Sequence, residues 1–185
     1  MFAGNVGAAQ NLYVVLKAAK SVQEEKINDN GKKIYFHIIG DGQELDNLKK
    51  YAHDNGIQNV IFHGRKPSEE MPRYYTFADA MIVTLTANPL VSLTLPAKVQ
   101  SYMAAGKPIL ASANGEIANV IKESGAGFCA HADDDSEFVD IVKLFLNNEE
   151  RYNMGKNARK YYVNNFSKEI VMDKLEKILI KEAIY

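Results

Sequence analysis

Four short stretches combine glycines, small polar residues and isolated charges in ways that suit an anion. The first is Gly4-Asn5-Val6-Gly7. Glycines there let a backbone approach a phosphate, and a helix opening behind them supplies N–H donors and the positive end of its dipole. The string supplies two glycines of the dinucleotide fingerprint G-x-G-x-x-G, with Phe2 where the first belongs; a plain turn has the same composition. In the second, Gly40-Asp41-Gly42, two glycines flank an acid. That is either a tight turn under a bound group or an N-cap for a helix starting near Gln43. The third, His63-Gly64-Arg65-Lys66-Pro67, offers Arg65 and Lys66 to a base or a phosphate, or simply to solvent.

The fourth stretch, Asn88 to Pro108, is the most informative. A long loop, including Thr94 and Leu95, leads to Pro96, which suits a first helical turn, and Gly106 ends that helix. Spacings of three and four put Lys98, Ser101 and Tyr102 on one face near the helix start. An anion there meets free N–H groups, the helix dipole and an ammonium together. The alternative is a buried helix whose Lys98 merely reaches solvent.

Other chemistries find little support. His37, His53, His63 and His131 are scattered and Cys129 is the lone thiol, so no metal-ligand spacing exists. Asp133, Asp134 and Asp135 precede Ser136-Glu137 and read as helix caps rather than a carboxylate metal site. Neither Gly-x-Ser-x-Gly nor a P-loop occurs. The 22 basic and 23 acidic residues among 185 leave a net charge of -1, which predicts no nucleic-acid partner. A single cysteine, no apolar run of about 20 residues and no signal-peptide layout predict a cytoplasmic protein.

The elements that must position these stretches alternate. Apolar runs at Phe2-Ala3, Ile34 to Ile39, Val60 to Phe62, Ala80 to Leu85, Pro108 to Ala111 and Gly127 to Ala130 read as strands covered on both faces. Leu12, Val15, Ala19 and Val22 repeat at helical spacing, as do Leu45, Leu48 and Ala52. After the last strand the pattern is helical over 137–146, 150–164 and 167–183, the last capped by Ser167. This predicts one α/β Rossmann-like domain over 1–185, with a parallel sheet of about six strands, helices on both faces and extra C-terminal helices. Ligands of such sheets bind beyond the carboxyl ends of the strands, where strand order reverses. The two or three residues before Gly4 are short for a first strand, which predicts a piece of a longer chain.

In this order, the strings Gly4-Asn5-x-Gly7, His37-Ile38-Ile39-Gly40-Asp41-Gly42, Val60-Ile61-Phe62-His63-Gly64, Tyr75 with Ala78-Asp79, Lys98 to Pro108 and Gly115-Glu116-Ile117-Ala118 resemble the nucleotide-sugar-binding half of a GT-B glycosyltransferase of the retaining group 1 type. Leu95-Pro96-Ala97-Lys98 with Tyr102 to Pro108 is especially similar to enzymes that build bacterial surface polysaccharides. The resemblance implies a UDP- or GDP-linked sugar as donor, no further cofactor, usually no bound metal, and a glycan or lipid-linked acceptor held by an N-terminal domain outside this chain. It places Gly4, Asn5, Gly7 and Lys98 at the diphosphate, and Gly40, Asp41, Gly42, Gly64, Arg65 and Ser101 at the nucleoside. Thr94, Leu95, Pro96 and Tyr102 fall along the cleft. It also implies that the helix over 167–185 docks on the other domain, that the full protein can sit at the inner membrane face, and that this piece alone does not turn over.

Two departures from the family pattern stand out. An Arg and a Lys usually lie in and after the first loop, where this chain has Asn5 and Ala9-Gln10-Asn11. The Glu-x7-Glu pair is absent, its positions falling near Leu93 and Ser101. Lys98, with Arg65, is the candidate for the missing charge. The departures keep a degenerate nucleotide-binding regulatory module in view, beside a nicotinamide-dependent oxidoreductase with Asp41 on the ribose and a UDP-sugar epimerase of the same shape.

Overall fold

The computed structural model describes residues 1–183. Parallel strands β1 (Phe2–Ala3), β4 (Phe36–Ile39) and β5 (Val60–Gly64) form one ladder in the order β1-β4-β5. A second ladder holds β6 (Met81–Thr84), β7 (Ile109–Ser112) and β8 (Gly127–Ala130). The Ile82 N–H donates to the Met1 carbonyl at 2.8 Å and joins the two ladders edge to edge. Strand order therefore runs outward in both directions from the β1/β6 seam, and the reversal that locates ligands in such sheets lies there.

Both faces are apolar because alternate strand residues feed opposite cores. Phe36, Ile38, Ile82 and Leu110 pack with helices α1 (Tyr13–Glu24), α2 (Leu45–Asp54) and α7 (Asp135–Leu146). Ile39, Met81, Val83, Ile109 and Ala111 pack on the other side with α3 (Met71–Thr76), α5 (Ala97–Ala104), α6 (Glu116–Ser124) and α8 (Arg151–Asn165). The final helix α9 (Lys168–Ala183) keeps Val171, Met172, Leu175, Ile178, Leu179 and Ile180 exposed. No described helix is long and apolar enough to cross a membrane.

Several expectations need correction. The strand expected from Ile34 starts at Phe36, because a small antiparallel hairpin, β2 (Asn28–Asp29) and β3 (Lys32–Lys33), precedes it. Its turn is Asn30-Gly31, with φ of 51° and 82°, the pairing a two-residue hairpin demands. The loop before Pro96 contains a short helix, α4 (Pro89–Ser92), capped by the Asn88 side chain, which accepts from the N–H groups of Leu90 and Val91. Pro96 itself flanks α5 in extended conformation rather than lying in its first turn. Asp41 does not cap α2; that helix opens at Leu45 after Glu44.

The aspartates are structural. Asp134 caps α7 by accepting from the Glu137 N–H at 2.9 Å, and that bond holds its carboxyl below the usual range. Asp135 pairs with Lys17. Asp133 accepts from the Asn11 amide at 2.6 Å and the Ala87 N–H at 2.8 Å. Among the described residues no group of three or more His, Cys, Asp or Glu side chains is placed to hold a metal ion.

Tyr102 also departs from expectation. It is wholly buried, not a cleft residue, and its hydroxyl closes a two-way bond with Ala3, accepting from the N–H at 3.0 Å and donating to the carbonyl at 2.8 Å. Tyr102→Phe strands both backbone groups in the core. Urea unfolding is expected to show a loss of about 2–4 kcal/mol; a loss under about 0.5 kcal/mol would refute this role.

Candidate functional site

The loops at the carboxyl ends of the strands meet at the seam. Gly4 N–H donates to Ile39 O at 2.9 Å, Val6 N–H to Asp41 O at 2.8 Å, and Gly40 N–H to Gly64 O at 2.9 Å. These bonds draw the first three predicted stretches side by side. The approach is so close that a Cβ on Gly40 would fall 1.8 Å from the Gly4 carbonyl oxygen, and one on Gly42 would fall 2.4 Å from that of Val6. The second loop's glycines are therefore required by backbone packing, whatever lies above them. Across the seam, Thr86 N–H donates to Ala9 O at 2.9 Å, and the Thr84 hydroxyl bonds Gln10 O.

Gly4 and Asn5 are exposed, whereas Gly7 is buried and its N–H is held by the Gln10 side chain at 3.1 Å. A single 3-10 turn, Ala8–Gln10, separates this loop from α1, so the helix does not open directly behind Gly7 as the sequence suggested. Two helices do open here without a side-chain cap: α5 after Pro96 and α6 after Gly115. Their uncapped N–H groups and dipoles add positive potential at this end of the sheet, against which Glu116 stands in the first turn of α6.

Lys98 enters from the first turn of α5. Its Nζ is buried, lies 4.1 Å from the centre of the Phe2 ring, and has no hydrogen-bond partner among the described residues. A Cβ built on Gly4 would meet that Nζ at 2.8 Å, so the ammonium sits directly against the first loop. Phe2 belongs to the core of the opposite sheet face from α5, which means the lysine threads the seam. Burial pulls its pKa from 10.5 down to about 8.

The remaining predicted residues sit nearby or apart. Ser101 is exposed and its hydroxyl bonds the Ala97 carbonyl at 3.2 Å, one turn back on α5. Thr94 is exposed and bonds Val91 O, while Leu95 and Pro96 are half-buried. Arg65 and Asp41 are exposed on the third and second loops, and Gly64 takes a φ of 65°. Leu90 and Leu93, on the loop leading to α5, are 77% and 79% exposed, conspicuous for leucines.

Sequence reasoning missed two features. One is the Phe2 ring under Lys98; its signal was an aromatic at a fingerprint glycine position. The other is a stacked pair, His37 and His63, whose Nδ1 and Nε2 lie 2.8 Å apart, with burial pulling both below the usual histidine range. The residues are far apart in sequence and meet only because β4 and β5 are neighbours.

The sequence profile described as "Glycosyl transferases group 1" matches residues 1–161. This chain belongs to that family. The probable glycosyltransferase WbjE of Pseudomonas aeruginosa is 31% identical over 179 residues, covering 94% of this chain and 42% of its own length. Spore coat protein SA of Bacillus subtilis is 26% identical over 181 residues, covering 95% and 46%. Among solved structures, Anabaena Alr3699/HepE in complex with UDP matches with a TM-score of 0.81 at 16% identity, over 97% of this chain and 48% of its own. Sucrose-phosphate synthase from Thermosynechococcus elongatus matches at 0.79 and 17% identity, over 98% and 45%. At such identities the structures establish the fold, one Rossmann-like half of a GT-B architecture. This group 1 chain spans under half the length of each of these four.

Proposed function

We propose that this group 1 chain is the donor half of a sugar transferase, binding a UDP- or GDP-linked sugar at the β1/β6 seam. The observation that carries the reading is the buried Lys98 ammonium pressed against Gly4, on a helix that opens without a side-chain cap. The first loop has no cation of its own, and Lys98 supplies one from α5. Transfer leaves a nucleoside diphosphate whose growing negative charge meets this ammonium and the free N–H groups, fixed in place beforehand. Gly64 and Arg65 border the base, and the exposed loop holding Thr94 and Leu95 borders the sugar. By register, Leu93 and Ser101 stand where the family carries its two glutamates.

The rest of the reaction lies outside this chain: a glycan or lipid-linked acceptor of a bacterial surface polysaccharide, held by a second domain against which α9 turns its exposed apolar face. In this reading the configuration at the sugar is retained, the full protein works at the inner face of the membrane, and this chain alone does not turn over. Turnover of a lipid-linked acceptor by the full-length enzyme, with product stereochemistry and vesicle co-sedimentation, checks these points.

The direct test is calorimetric titration of this chain with UDP, GDP, ADP and NAD. Saturable binding of UDP or GDP is expected, with thermal stabilisation of roughly 2.7 kcal/mol at 100 times the dissociation constant. Binding of NAD alone would replace the reading with an oxidoreductase. A second reading, a binding module that has lost catalysis, draws on Leu93 and Ser101 in place of carboxylates. Turnover by the full-length enzyme excludes it.

A further inference from the structure

We propose that Phe2 is a positioning residue for the donor diphosphate: its ring holds the Lys98 ammonium from below while the ammonium faces the anion across the Gly4 loop. The inference rests on the donor-site reading above and adds to it the group that keeps Lys98 in place.

Three observations combine. Phe2 is 0% exposed, so its ring is immobilised by the core and the contact with Nζ, at 4.1 Å, is dry. A cation over an aromatic face within about 6 Å is attracted by the ring quadrupole, more strongly when desolvated. Nothing else holds the ammonium, since Nζ has no hydrogen-bond partner among the described residues. No side chain stands between it and the loop, because Gly4 has none and its Cβ position is 2.8 Å from Nζ. A glycine at position 2, as the dinucleotide fingerprint has it, would leave the lysine without a ring. The phenylalanine and the displaced cation are thus two parts of one arrangement.

The electrostatic surroundings are simple. Residues 2–10 and 85–96 carry no ionisable side chain. On α5 the only other titratable group is Tyr102, whose hydroxyl is engaged by Ala3, and the second loop adds Asp41 and Glu44. Burial alone lowers the Lys98 pKa, to about 8. The ring opposes that pull by favouring the charged form.

The test uses this chain labelled with 13C-lysine, with the Lys98 ε-methylene signal assigned by loss in Lys98→Arg. Without ligand, that signal is expected upfield of the other lysines through the ring current. Phe2→Leu should return it to the ordinary position and lower its charged-to-neutral ratio about three- to fivefold at a given pH, the range a ring contact supports. Phe2→Tyr should preserve both. Because Phe2→Leu alters the core, 3,4,5-trifluorophenylalanine at position 2 keeps the shape and weakens only the ring's field. It should shift the titration midpoint the same way. Inorganic pyrophosphate is then titrated at pH 7, and should move the Lys98 signal with an affinity at least threefold lower in the trifluoro protein. A titration midpoint unmoved by Phe2→Leu and by fluorination overturns the proposal. So does a pyrophosphate affinity indifferent to fluorination, although the donor-site reading survives that result. Pyrophosphate that never perturbs Lys98 overturns both.

Discussion

Lys98→Met is expected to make the protein more stable and a far weaker nucleotide binder. The native ammonium is buried with no hydrogen-bond partner among the described residues, so folding carries its desolvation cost. Methionine fills nearly the same space and its sulfur sits well against the Phe2 ring. Nucleoside-diphosphate affinity should fall about 10- to 100-fold, since a charge-assisted contact contributes about 1.5–3 kcal/mol. The pH dependence gives a second signature. The folded-state pKa of about 8 lies below the ordinary 10.5, so the unfolded chain binds more protons between those values. Wild-type stability should therefore gain from this residue as pH rises from about 8 to 10.5, and the methionine variant should lack that gain. A variant that melts lower and binds UDP or GDP as well as wild type would remove Lys98 from the site.

Gly40→Ala should be among the most damaging single-methyl changes available in this chain. The residue holds a φ of 143°, where a side chain is strained, and its Cβ would stand 1.8 Å from the Gly4 oxygen. Either the first loop or the second must move. Chemical denaturation is expected to show a loss of about 3–5 kcal/mol, at the upper end for a point substitution. Any folded fraction should bind nucleotide poorly, because whichever loop yields, the second loop no longer packs against the Gly4 loop that Lys98 touches. Gly31→Ala separates the causes: its φ is 82° but nothing lies within 4 Å of its Cβ position. It should cost only about 1–2 kcal/mol. Equal losses at the two glycines would mean that backbone strain, not loop contact, governs Gly40.

The sheet was legible because its signal is redundant. Six apolar runs separated by helical spacing leave few arrangements, and right-handed crossovers prune the rest. The β2–β3 hairpin escaped because its strands are only two residues long and are polar, lacking the alternation that marks a strand, even though Asn30-Gly31 announced the turn. That the first three loops would lie together was legible; where their side chains would point was not. Helical spacing put Lys98 and Tyr102 on one face, yet four residues span more than one turn. That was enough for Lys98 to thread the seam while Tyr102 points into the core to hold Ala3. Similarly, glycines at 40 and 42 suggested room for a ligand, whereas the space is taken by the neighbouring loop's carbonyls. Spacing reports which residues can meet. What they meet depends on strands distant in sequence.

The stitching of the loops has a consequence for recognition. Gly4, Val6, Gly40 and Thr86 spend their N–H groups on neighbouring strand ends and loops, and Asp133 ties Asn11 to Ala87. Were a nucleotide to dock here as proposed, the surface it met would be ordered when the chain folds, not when the ligand arrives. Little conformational entropy remains to be lost at the moment of contact, so more of each ionic and hydrogen-bonding gain survives as affinity. In the proposed donor site, specificity would then come from the shape of the preformed surface, to which Leu90 and Leu93 add exposed apolar bulk.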